Sequence, residues 1–246
     1  QPPHIKVKDL MLDIQEAIQK NNAFLARWVS NFDSKNQTNF WYVINDNPMQ
    51  ISDYSTNTRN QIKKGLANFQ VKIIDKSVVK TEGYNIYTSA FLSYNTLVRF
   101  KSKELFIKEL DGEWEFWGIY SKGILIGYSQ NRIYDICCDY STIKIHPDYK
   151  RMYPSYALFF IMNRYYLNEK KLKYISDGAR SLVHQSNIQE FLIKKFKFRK
   201  AFCNLHVLYH RNIKMLIDAL YPFRNIILRI NLTLFQKIGI ILKQEE

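Results

Sequence analysis

The chain of 246 residues is 46% hydrophobic and 15% aromatic, which is ample for a packed core and excludes disorder as its main state. A formal net charge of +14 favours polyanions, anionic lipid surfaces or phosphorylated substrates as partners. Three cysteines, the adjacent Cys137 and Cys138 and the distant Cys203, give neither a disulfide framework nor metal-ligand spacing, so reduced thiols in the cytoplasm and no metal are expected.

The opening QPPHIKVKDL lacks the basic-then-apolar order of a secretory signal, and apolar runs such as YALFFIM fall far short of a membrane span. From Val7 to Phe32, apolar Leu10, Ile14, Ile18 and Leu25 with polar residues between them predict a helix, and NFWYVIND then reads as a strand. STNTRNQIKKGLANF starts with cap-type residues and keeps Ile62, Leu66 and Phe69 at helical spacing, with Arg59, Lys63 and Lys64 along its polar side. VKIID is a short strand, and EGYNIYTSAFLSY and SKELFIKEL are two further helices closed by Asp111-Gly112.

The texture then turns to β. EFWGIYSKGILIGYSQ is two strand-like runs around Ser121-Lys122-Gly123, and RIYDICCDYSTIKIH continues with β-branched and aromatic residues, which predicts an antiparallel meander from about Glu115 to His146. A helix follows from Pro154 to about Asn168, then a strand in LKYIS, a turn in DGAR, a helix in NIQEFLIKKF and a strand pair in FRKAFCNLHVLYH. Meander, helix, strand, helix, strand is an α/β order with one mixed sheet. In the tail, Ile227, Ile230, Leu234, Ile238 and Ile241 recur at 3,4,4,3 spacing, an amphipathic basic helix that docks on its own domain or a second copy, or else lies on an anionic membrane.

In this order GILIGY, IHPDYKRMYPSYAL and NIQEFLIKKFKF before RKAFCNLHVLY resemble the third strand, the fourth strand with cofactor turn and helix, and the closing helix and strands of the GNAT superfamily of acyl-CoA-dependent N-acyltransferases. The resemblance spans Glu115 to Tyr209. It implies a GNAT-like, mostly antiparallel mixed sheet flanked by helices at 113–212; by pattern, a mainly helical elaboration with two short strands precedes it at 1–112 and C-terminal amphipathic basic helices follow at 213–246. It also implies acetyl-CoA or another acyl-CoA as donor and an amine as acceptor.

The family's basic-x-x-Gly-x-Gly turn, which brings N–H groups against the cofactor pyrophosphate, aligns with Lys150, Tyr153 and Ser155. Glycine is absent there, and Pro154 has no N–H to donate. Proline nevertheless suits the first turn of a helix, and the donors of Ser155, Tyr156 and Ala157, with Lys150 and Arg151, predict an anion site. The bulged strand that runs through Ile145 and ends at His146 is expected to lend an N–H to the thioester carbonyl. The family's acidic tyrosine position holds Ile193 and the glycine before Phe198 is Lys197, which leaves Asp177, His184 and Tyr174 as the titratable candidates for proton transfer.

TRNQIKKGLANFQVKII before GYNIYTSAFLSY is similar to the basic helix, strand and helix of the Fem family of peptidoglycan-bridge aminoacyl transferases, which share the GNAT fold and take their acyl group from aminoacyl-tRNA. A Fem-like transferase on a cell-wall precursor, with tRNA as partner, is thus one alternative. A non-catalytic, degenerate GNAT-like module that recruits a partner or the inner face of the membrane through its tail is another. The bland readings are a solvated helix face for Arg59, Lys63 and Lys64, structural roles for His206 and His210, a small core hydrophobe for Cys203, and a tight turn for Asp177 to Arg180.

Overall fold

The computed structural model describes residues 2–6, 11–93, 99–180, 187–224 and 239, so His184 and the tail stripe from Ile227 to Ile241 lie outside the described residues. In chain order the elements are α1 Met11–Lys20, β1 Leu25–Ser34, β2 Phe40–Asn45, α2 Thr56–Asn68, β3 Gln70–Ile74, α3 Lys76–Leu92, α4 Lys103–Glu109, β4 Glu115–Ser121, β5 Ile124–Ile133, β6 Cys137–Ile145, α5 Pro154–Asn163, β7 Tyr174–Ala179, α6 Ile188–Phe196, β8 Arg199–Tyr209 and α7 Arg211–Leu220. The chain is α/β with flanking helices and mostly antiparallel strand pairs: β1–β8, β3–β4, β4–β5 and β5–β6 are antiparallel and β6–β7 is parallel. It divides into two compact units, one of residues 1–42, 179–185 and 201–246, the other of residues 43–178 and 186–200.

In the first unit β1 pairs antiparallel with β8, from Leu25↔Tyr209 to Ser30↔Asn204, and the register shifts before Ser34↔Phe202. Val29, Phe40 and Cys203 form a small core, and α7 lays Ile217 against Tyr209 with Leu25 and Val207 around it. The single helix expected from Val7 to Phe32 is not what forms. Asn21 bonds back to the Ala17 carbonyl, Asn22 takes a left-handed φ of 48°, and the helix stops. Trp28, Val29 and Phe32, aromatic and β-branched, then favour the strand. The expected strand pair near the C-terminus is one strand, β8, of 11 residues.

The second unit orders its strands β7-β6-β5-β4-β3. The predicted meander forms as β4, β5 and β6, with Lys122 and Gly123 turning the hairpin at φ 49° and 82°. Helix α3, capped by the Asp75 carboxylate on the Ser77 N–H, buries Val79, Ile86 and Tyr87 with Phe106, Phe116 and Tyr128. Helix α5 is almost wholly buried and runs into a π turn, Arg164–Glu169. Helix α6 is anchored at its end by the buried Asn45 amide, which donates to the Phe196 carbonyl at 3.0 Å. Asp177, Gly178 and Ala179 continue β7 rather than forming the expected tight turn; Gly178 alone takes the positive φ, 88°.

The π turn inserts Tyr166 beneath the sheet, where its hydroxyl accepts from Trp117 Nε1 at 2.8 Å and Asn131 Nδ2 at 3.1 Å and donates to Glu115. Asn131 in turn accepts from the Ser129 hydroxyl at 2.6 Å. A buried polar group is tolerated when its partners are met, and removing this hydroxyl leaves Trp117 Nε1 only Glu115 at 3.2 Å and Asn131 Nδ2 only the Met162 sulfur, a weak acceptor, at 3.3 Å. Tyr166→Phe is expected to lower the unfolding free energy by about 1–3 kcal/mol in urea titrations, with the m-value unchanged.

Candidate functional site

Strands β6 and β7 run parallel through Cys137↔Tyr174, Cys138↔Ile175 and Asp139↔Ser176, after which β6 goes on to Ile145 and β7 to Ala179. The first residues past the last pair are Tyr140 and Asp177. Because side chains alternate along a strand, both face away from Asp139 and Ser176, towards α5 and α6. Tyr140 packs on Phe159, and its hydroxyl donates to Asn163 Oδ1 at 2.9 Å. Asn163 is 3% exposed, and its Nδ2 has no hydrogen-bond partner among the described residues. Beside it, burial pushes the Tyr54 hydroxyl up to about 12, with Asn163 pulling the other way.

Asp177 belongs to this cluster. Burial raises its carboxyl to about 7, and the Gln189 side chain of α6, the group bonded to it, only partly offsets that rise. Burial also holds Tyr140 well above the ordinary phenol range, helped by the nearby Cys138, Tyr54 and Asp177. A carboxyl that is half ionised near neutrality can take a proton from an amine and release it again. On the opposite face burial raises Asp139 to about 6 against the hydrogen bond from Ser176 and the charge of Arg132, and its buried Oδ1 has no hydrogen-bond partner among the described residues.

Of the two described residues singled out by sequence for proton transfer, Asp177 lies in this opening and Tyr174 does not; His184 lies outside the described residues. Tyr174 shares a face with Ser176 and lies opposite Cys137 at the start of β7, so Tyr174 and Asp177 are not brought together. Sequence reasoning missed Tyr54, Tyr140, Asn163 and Asp139. The usable signals were a lone asparagine closing the apolar run LFFIMN and the polar break DYS in a β-rich run.

At the far end of β6, Ile145 opposes Gly127, and the His146 N–H donates to the Ile126 carbonyl at 2.8 Å. Amides alternate in direction along an antiparallel strand, so the Ile145 N–H points away from β5. His146 then caps a 3₁₀ turn, Pro147–Met152. Tyr153, at the position of the family's first glycine, takes the left-handed conformation that glycine would, φ 66° and ψ 37°, at a cost of about 1–2 kcal/mol for a residue with a Cβ. Its carbonyl accepts from the Tyr156 and Ala157 N–H groups at 3.1 and 3.4 Å, so of the three expected donors Ser155 is the one not taken up by that carbonyl.

Lys150 Nζ donates to the Ser93 hydroxyl at 3.1 Å, and Arg151 is exposed. Helix α2 packs on α5 and brings Lys64 Nζ to 6.0 Å above the Tyr153 ring. Arg59 instead turns its guanidinium to the Ser52 carbonyl and the Thr56 hydroxyl.

The remaining candidates read as structural. His206 Nε2 and the Ser30 hydroxyl are 2.6 Å apart and its ring stacks on Trp28; His210 caps α7; and Arg180 reaches the Asn39 carbonyl over Trp41. Burial raises the thiols of Cys137 and Cys203 to about 11 and that of Cys138 further, far from a reactive thiolate. Among the described residues no group of His, Cys, Asp or Glu side chains can hold a metal ion, and no helix is long and apolar enough to cross a membrane.

No protein-family model matches the sequence, and no curated protein matches it significantly. Solved structures do. FemX superposes with a TM-score of 0.56 at 10% identity, over 87% of this chain and 77% of that one. The C-terminal DUF2156 domain of an Agrobacterium fabrum protein gives 0.53 at 12%, over 86% and 76%, and L-PGS from Bacillus licheniformis gives 0.52 at 9%, over 86% and 70%. The chain therefore has the GNAT-like fold with a Fem resemblance that the order of its elements implied. At such identities the likeness speaks for the fold alone.

Both raised carboxyls bind protons in the native state that the unfolded chain has already released between about pH 4 and pH 7, so their contribution makes stability fall as pH rises through that window. Thermal unfolding from pH 5 to 7.5 is expected to show this fall. In the Asp139→Asn, Asp177→Asn double variant it is expected to flatten.

Proposed function

We propose that this chain transfers an acyl group from a coenzyme A thioester to an amine in the opening between β6 and β7. The observation that carries the reading is that pairing ends at Asp139↔Ser176 with Asp177, a carboxyl near neutrality, as the first residue beyond it on its own strand. In this mechanism the Ile145 N–H, turned away from β5, receives the thioester carbonyl oxygen. Lys150, Arg151 and the Ser155 amide hold the pyrophosphate, and the backbone course at Tyr153 supports the same seat without a glycine. The amine nitrogen, its proton accepted by Asp177, attacks the carbonyl carbon; the C–S bond breaks and the thiolate leaves to be protonated from solvent.

A second reading, an aminoacyl-tRNA donor and a cell-wall precursor as acceptor, is supported by the fold likeness to FemX and by Lys63 and Lys64 on α2 beside the turn. In that case RNA binding falls steeply with salt and with Lys63→Glu, Lys64→Glu. A peripheral membrane or homodimer role for the tail goes with either donor, and a non-catalytic module is the reading left if neither donor binds.

Thermal-shift titration with acetyl-CoA and coenzyme A tests the first reading. Both are expected to stabilise the wild type and to do so less in Lys150→Glu; no shift at about millimolar ligand overturns it, because a ligand that binds only the native state must raise apparent stability. With an amine acceptor, the rate is expected to rise with pH through about 7 as Asp177 loses its proton. Asp177→Asn is expected to remove that limb and lower the rate by about 10²–10⁴-fold.

A further inference from the structure

Helix α2 approaches the Tyr153 turn more closely than any residue but glycine at position 65 would allow. A Cβ there would lie 2.5 Å from the Tyr153 carbonyl oxygen and 3.2 Å from the amide nitrogen and Cβ of Ala157. Glycine in mid-helix is unfavourable by about 1 kcal/mol relative to alanine, so this position is a packing requirement and not a helix preference. The residue before it, Lys64, is the one over the Tyr153 ring.

The charges around that ring are unbalanced. Lys76, Lys80, Lys101, Arg164, Lys194, Arg199 and Lys214 each have a carboxylate partner. Among the described residues none of Lys64, Lys150 and Arg151 has one: Lys64 lies over the Tyr153 ring, while Lys150, whose Nζ reaches the Ser93 hydroxyl, and Arg151 stand on the 3₁₀ turn that ends at Tyr153 and that also carries Asp148, beside His146. Three cations against one carboxylate leave this surface with an excess of positive charge, which an anion of two or more charges can meet from α2 and from the turn at once. The turn itself has little backbone to offer, because Pro154 has no N–H and the Tyr156 and Ala157 amides go to the Tyr153 carbonyl.

We propose that Lys64, set in place by Gly65, completes the anion seat at Tyr153, so that α2 and the turn clamp a diphosphate ester between them. The glycine of this site is thus on the neighbouring helix, where it lets a side-chain cation approach, instead of in the turn, where it would let backbone amides approach. This rests on the coenzyme A reading above and adds to it a residue, Lys64, and a preference, two linked phosphates over one.

Calorimetric titration of inorganic pyrophosphate, coenzyme A, inorganic phosphate and a single-stranded RNA oligonucleotide into wild type, Lys64→Gln, Lys64→Arg and Lys150→Gln tests it; Lys64 and Lys150 are exposed, so these variants keep the fold. Lys64→Gln is expected to weaken pyrophosphate and coenzyme A about tenfold, the loss of one charge-assisted contact, and to leave the weak binding of phosphate nearly unchanged, with Lys64→Arg near wild type. If Lys150→Gln weakens coenzyme A and Lys64→Gln does not, the clamp is wrong while the coenzyme A reading stands. If neither pyrophosphate nor coenzyme A binds the wild type, both fall. If Lys64→Gln weakens only a single-stranded RNA oligonucleotide, Lys64 serves a polymer and the clamp is again wrong.

Discussion

The parting of β6 from β7 after three parallel pairs is the constraint on which the rest of the second unit depends. Paired strands meet each other's amides and carbonyls, whereas strands that separate leave them directed into a gap that something else must fill. Here the gap opens between Tyr140 and Asp177 and runs towards Ile145. Asp177 is half-buried there with the Gln189 side chain of α6 bonded to it, and burial raises its carboxyl to about 7. The same burial raises Tyr140, and the Asn163 Nδ2, buried beside the Tyr54 hydroxyl, has no partner within hydrogen-bond distance among the described residues. Polar groups that cost stability in this way gather at sites more often than at random positions in a core.

The turn after β6 shows how a backbone geometry can survive the loss of the residue type that normally favours it. Tyr153 adopts a left-handed conformation that disfavours a side chain, and its ring, half-buried against Tyr156 and under Lys64, offers contacts that offset part of that cost. Close approach is achieved by Gly65 from α2 instead. The chemistry of the turn consequently shifts from amide donors to side-chain cations.

Much of the second unit was legible from pattern. Alternating β-branched and aromatic residues marked β4 to β6, capping residues marked α2, and an apolar run after Pro154 marked α5, because each signal is local to its element. The first unit was less legible. Apolar residues at Ile14, Ile18 and Leu25 fit a helical period, yet the two asparagines at 21 and 22 end the helix and β8 supplies the ladder that makes Leu25 to Ser34 a strand. Pairing between residues nearly two hundred positions apart leaves no local mark.

The sequence by itself determined the α/β class, the order of the elements from Glu115 onward, the basic character, and the candidacy of Asp177 and of the turn from Lys150 to Ala157, since these follow from composition, periodicity and the order of segments. Only the tertiary structure decided that Tyr140, Asn163 and Tyr54 join Asp177, that Tyr174 does not, and that Lys64 stands over Tyr153. Those facts depend on which faces of separate strands and helices are packed together, and on how deeply burial shifts a proton equilibrium. Neither quantity is carried by any one segment of the chain.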